Sequence, residues 1–136
     1  MKLTKKQRLL SSDDGQTMVE FALVLPMLAF LLFGIIQFGI VFNHYLDLTD
    51  ATRAGARVAA VSRQTNDPSG PSGVAKQAVI NSAGDITLDP AKVSVNSNWQ
   101  PGDDVTVQAA YPYTIDLFGI VFASGDLHST TTERVE

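Results

Sequence analysis

The apolar positions of this chain fall into three successive regimes. The first regime is a continuous run. Residues 21–42, "FALVLPMLAFLLFGIIQFGIVF", contain no charged side chain. Twenty-two residues at the helical rise cover about 33 Å, enough for a hydrocarbon core of about 30 Å. A soluble core helix of that length would need a much larger domain around it. The run therefore predicts a membrane-crossing helix over residues 16–43, bounded by Phe21 and Phe42 on its charge-free side. Pro26, Gly34 and Gly39 lie inside it. Such residues are tolerated in lipid, and Pro26 is expected to bend the helix near its first third. Ala22, Ala29, Gly34 and Gly39 are small enough to admit a neighbouring helix, although their spacing is not GxxxG.

The second regime has the period of an amphipathic helix. Over residues 44–65, Leu48, Ala51, Ala54, Gly55 and Val58 share one side of a helical wheel, and Asp50, Arg53, Arg57 and Gln64 gather opposite. The span and this segment together predict one helix of about 45 residues. Its outer face of small side chains, Ala51, Ala54, Gly55 and Val58, suits close packing. The surface it meets is either the chain's own sheet or a neighbouring helix in an assembly.

"NDPSGPSG" (66–73) stops the helix and reads as a flexible loop. A head domain over residues 66–136 follows. It opens with a short helix over residues 74–82, for which Gly84 is the stop. The third regime is alternation. "KVSVNS" and "VTVQAAY" place Val93 with Val95, and Val105 with Val107, on one face each, around a "QPGDD" turn. "LHSTTTERV" is a final Thr-rich strand. Between them "PYTIDLFGIVFASGD" reads as a long connection, whose apolar patch Leu117–Phe122 is expected in the core, with a greasy loop lying against the bilayer or another subunit as the alternative. The fold class is α+β: a long N-terminal helix packed on a small antiparallel sheet of three to four strands.

Charge adds an orientation. The chain holds 10 Lys+Arg and 14 Asp+Glu, which does not point to nucleic acid. Lys2, Lys5, Lys6 and Arg8 crowd the start, whereas six basic and twelve acidic residues follow Gly15. Residues 1–15 thus read as a basic cytoplasmic leader, with the N-terminus inside and the head outside, although Arg53, Arg57 and Arg63 oppose that bias. A cleaved secretory signal fits poorly, because the run is too long and "NHYLD" follows it in place of a small-x-small site. The absence of cysteine excludes disulfides, thiolate metal sites and a cysteine nucleophile.

No enzymatic, metal or cofactor site emerges. His44 and His128 are far apart in sequence, and His44 reads as an interface residue. Asp126 and His128 alternate on one strand face, but two ligands do not make a metal site. Asp103 and Asp104 suit a turn. "GPSGVAK" lacks the phosphate-loop spacing, and Ser124 lacks a nucleophile-elbow frame.

Glu20 is the residue without a local explanation. A helix beginning near residues 12–15 puts it in the second turn, where the dipole's stabilisation of about 0.3–1 kcal/mol is fading. A carboxylate in the apolar layer costs up to about 2.5–3.5 kcal/mol at mid-membrane. A charge partner accounts better for its position.

Basic residues, then Gly15, then "QTMVEFALVLP" with Glu20 fifth after the glycine, resembles a type IV prepilin signal. "VEFALVLPMLAFLLFGIIQFGIVF" followed by "LTDATRAGARVAAV" is similar to the TadE-like pseudopilins, minor-pilin components of tight adherence (Flp pilus) systems. The likeness is close over residues 15–61, and the closing "TTERVE" is similar to the family's last strand; residues 64–125 carry no family motif. Gln37 stands where many relatives carry an acid. The resemblance implies a type IV pilin-like fold and cleavage between Gly15 and Gln16 by a prepilin peptidase on the cytoplasmic side. It further implies pairing of Glu20 with the new N-terminal amine of a neighbouring subunit. Its implied partners are the lipid bilayer of the inner membrane, other pilin-like subunits and the pilus assembly platform. The role is that of an initiating, minor or tip subunit. An uncleaved single-span anchor with a binding domain is the alternative.

Overall fold

The computed structural model describes residues 12–117 and 119–136. The basic side chains Lys2, Lys5, Lys6 and Arg8, and Phe118 of the apolar patch, lie outside the described residues. The chain divides into a unit ending at Ile36 and a second, Gln37–Glu136. Helix α1, Ser12–Val61, contributes to each.

The described part of the first unit is helix. Pro26 lies inside it, and almost every described side chain is exposed. In water that many bare apolar groups is untenable, since each removed from water gives roughly 1.5–3 kcal/mol.

The second unit comprises the rest of α1, helix α2 (Gly70–Asn81), and strands β1 (Val93–Asn96), β2 (Asp104–Leu117) and β3 (Ile120–Arg134). A turn of 3-10 helix, Ser62–Gln64, closes α1. The α2 helix begins inside the segment expected to be loop. Gly70 turns the chain with φ 68°, and Pro71 sits at the start of the helix, where a missing N–H costs nothing. Gly84, φ 62°, follows its end; a Cβ there would stand 3.1 Å from the Asp47 carboxylate.

The three strands form one antiparallel sheet in the order β1-β2-β3. Val93 pairs with Ala109 and Asn96 with Thr106, so β1 covers only the first half of β2. The β2–β3 ladder runs from Asp104↔Arg134 to Leu117↔Ile120, with a bulge between Ile115 and Asp116. Residues 112–126 are therefore not a connection. They are the far half of a long hairpin, closed by a turn in which Gly119 has φ 81°. "VTVQAAYPYTI" keeps its alternation across Pro112, which is acceptable because β1 has ended and that edge of β2 is unpaired.

The core is built from Leu48, Ala51, Ala56, Ala59, Ala75, Val79, Val93, Val105 and Val107. Val135 is also buried. Its N–H donates to the Asp103 carbonyl at 2.8 Å, while the Glu136 N–H reaches Ala60 O at 3.0 Å. The expected core patch is not in the core: Ile120, Val121 and Phe122 are 62%, 59% and 61% exposed, and Leu117 is half-buried. The alanine-rich α1 face and the valine faces of β1 and β2 already fill the interior, so the hairpin tip lies beyond it.

Candidate assembly site on the apolar helix

Gly15 and Gln16 lie in the opening turns of α1, exposed. Backbone N–H groups of an opening turn lack helical partners, and glycine is among the poorest helix formers. Opening that turn to present an extended Gly15–Gln16 bond is therefore inexpensive. Glu20 follows one turn later and is exposed. The Gln16 Nε2 donates to Glu20 Oε1 at 3.1 Å. An exposed i,i+4 pair of this kind gives only about 0.2–0.5 kcal/mol, well short of the cost of a carboxylate in lipid.

Beyond Glu20, Phe21, Leu25 and Leu28 are exposed apolar side chains. Gly34 and Gly39 have open space where a Cβ would point, so none of the described residues requires glycine there. Gln37 is half-buried, and its Nε2 donates to the Asp116 carbonyl at 3.1 Å. Phe42 stacks on Phe38 with ring centroids 6.3 Å apart.

The C-terminal part of α1 meets both α2 and the sheet. Ala51 and Gly55 are buried, whereas Ala54 and Val58 are half-buried. Gly55 faces α2 rather than the sheet: a Cβ on it would lie 2.2 Å from Val79 Cγ2 and 3.2 Å from Ala75 O. The buried stripe is rotated toward Thr52, Ala56 and Ala59, because two surfaces close on this helix instead of one. Toward the sheet, Thr52 and Ser129 bury their hydroxyls 2.8 Å apart, and the Thr131 hydroxyl donates to Thr52 Oγ1 at 3.3 Å. That hydroxyl cluster was invisible in the sequence, since the partners are 77 residues apart. The solvated face carries Arg53 and Asp50, 3.4 Å apart, and Arg57.

The other candidates resolve into structural roles. His44 packs edge-on against Tyr111, centroids 5.4 Å apart. Asp126 accepts from Lys92 Nζ at 2.8 Å, and that ammonium holds its carboxyl below the ordinary carboxylate range. Asp67 is likewise lowered, by the Ser69 hydroxyl and N–H that donate to it. "GPSGVAK" forms the start of α2. It borders, with Val58 and Asn81, an open groove of about 450 Å³.

Taken together, these elements define a class: a small α+β head joined to one helix that is long and apolar enough to cross a membrane. Within that class, residues 15–57 match the family model described as TadE-like protein. That is a pilus structural family, and the match together with the apolar helix fits a single-pass membrane protein of a Tad pilus system. The matched segment takes in Gly15, Glu20, the whole charge-free run and the Ala51–Gly55 stripe. No curated protein and no solved structure matches the chain.

Proposed function

We propose that this chain is a pilin-like subunit, a minor pilin or pseudopilin, that serves biogenesis of a tight adherence (Flp) pilus. A prepilin peptidase removes residues 1–15, and the helix from Gln16 onward stays in the inner membrane with the head outside. The observation that carries the reading is Glu20: an exposed carboxylate at the entrance of a charge-free helix, one turn after Gly15, inside the segment that matches the TadE-like model.

The chemistry is electrostatic. Cleavage converts the Gln16 amide nitrogen into an ammonium. In lipid an ammonium and a carboxylate are each costly alone, and pairing them between subunits offsets both costs. Because each subunit carries one of each at a fixed separation along its helix, the pair also selects one axial offset between neighbours. A single buried polar residue sets register in coiled coils in the same way. Phe21, Leu25, Leu28 and the residues after them then supply contact area, and Gly34 and Gly39 leave room for close approach.

The test separates processing from assembly. Glu20→Ala is expected to be cleaved and inserted like the parent chain but to be lost from the isolated pilus or from cross-linked subunit complexes. Incorporation of Glu20→Ala at the parent level would sink the pairing mechanism.

A further inference from the structure

We infer that the tip of the β2–β3 hairpin is a second membrane contact, seated among the headgroups and upper acyl chains of the leaflet on the head's side. The inference rests on α1 being a membrane span. Three observations within the Gln37–Glu136 unit lead to it.

The first is composition. Between Asp104 and Asp126 the only charged residue is Asp116, and the tip ends in Ile120, Val121 and Phe122, each about three-fifths exposed. Successive strand residues point to opposite faces. Three consecutive exposed apolar residues therefore make both faces of the tip apolar. A flat protein partner would cover one face; a surrounding medium covers both.

The second is depth. The Gln37 side chain holds the Asp116 carbonyl at 3.1 Å, which places the tip level with Gln37. That residue lies five positions inside the outer end of the charge-free run at Phe42, or about 7–8 Å at the helical rise. Interfacial elements bury their apolar faces about 5–10 Å into the headgroup and acyl boundary. Phe38 and Phe42, exposed on the same stretch of α1, would share that layer.

The third is the state of the backbone. The ladder continues to Leu117↔Ile120, so the two strands satisfy each other to the end. On its other side β2 loses its partner after Ala109, and bare strand edges are expensive in hydrocarbon. Gln37 occupies the Asp116 acceptor on that stretch. The remaining edge and the Asp116 carboxylate keep the tip at the boundary rather than deeper.

The chain has no cysteine, so single thiols can report position. Val121→Cys, Phe122→Cys, Leu31→Cys and Thr130→Cys, each carrying an environment-sensitive fluorophore, are reconstituted as the full chain. The vesicles are phosphatidylcholine and phosphatidylglycerol with a shallow nitroxide lipid. Probes at 121 and 122 are expected to be quenched by the nitroxide several-fold more than the probe at 130, and to be shielded from aqueous iodide. The probe at 31 reports the span. If it is quenched while 121 and 122 behave like 130, the tip contact is overturned and the span stands. If 31 also behaves like 130, the span fails and the tip contact with it. Shielding of 121 and 122 from both quenchers, increasing with protein-to-lipid ratio, would show a second copy covering the tip and would equally overturn the lipid assignment.

Discussion

Thr52 and Ser129 bring two hydroxyls into the interior, and the Thr131 hydroxyl joins them. A buried hydroxyl left without a partner costs about 1–3 kcal/mol. Thr52→Val, nearly isosteric, should therefore lower head stability by that order in denaturant unfolding. Adding Ser129→Ala should recover part of the loss, since the orphaned group is then removed; a double variant less stable than the sum of both singles would contradict this account. Gln37 is a second case in which a single atom type matters. Its amide donates to the Asp116 carbonyl, which an ionised carboxylate cannot do. Gln37→Glu should lose that bond at a cost of about 1 kcal/mol and loosen the hairpin. Amide hydrogen exchange at residues 113–117 is expected to speed up, and unchanged exchange would mean that the bond does not hold the hairpin in place.

At the scale of elements, the closest approach is α1 to α2 at Gly55. Alanine is the better helix former by about 0.5–1 kcal/mol, yet a Cβ here would overlap Val79 Cγ2. Overpacking of this kind costs about 1–3 kcal/mol, so Gly55→Ala should lower the thermal midpoint of the head by several degrees. Combining it with Val79→Ala should relieve the overlap and return some of the loss. The Lys92–Asp126 tie, between the approach to β1 and the middle of β3, is pH-dependent with a definite sign. Its carboxyl is held low in the folded chain, so its contribution is full above the ordinary carboxylate range and disappears as pH falls through the lowered value. A carboxyl NMR titration should find the Asp126 midpoint below that of a free aspartate, and Lys92→Ala should bring it back up. Much of this layer was legible from periodicity: the long helix, the alternation of Val93, Val95, Val105 and Val107, and the amphipathic segment opposite Arg53 and Arg57. The hairpin was not. Pro112, Gly119 and Gly125 punctuate residues 112–126 like a loop, and only the absence of a β1 partner beyond Ala109 lets proline sit in a continuing strand. The start of α2 at Gly70 was hidden in the same manner, because Pro71 and Gly73 signal loop unless the proline occupies the first helical turn. Which surface Gly55 meets was not legible either, since a small side chain is required equally by a sheet and by a helix.

For the whole molecule, two kinds of surface matter. The head closes a small core of alanine and valine, and its polar groups are matched within it. The helix up to Ile36 leaves large apolar side chains exposed, and Glu20, the acid at the entrance of its charge-free run, has a weak partner among the described residues, Gln16 Nε2. Lipid accounts for the apolar groups. In the proposed reading a newly made ammonium on an adjacent subunit accounts for the acid, and that ammonium exists only if the chain is cut between Gly15 and Gln16. The direct measurement is the intact mass of the native protein extracted from the membrane. A chain beginning at Gln16, with allowance for loss of ammonia by glutamine cyclisation, is the predicted result, and the uncyclised share bounds the subunits able to pair with Glu20. A mass that begins at Met1, with Lys2, Lys5, Lys6 and Arg8 still attached, would contradict it.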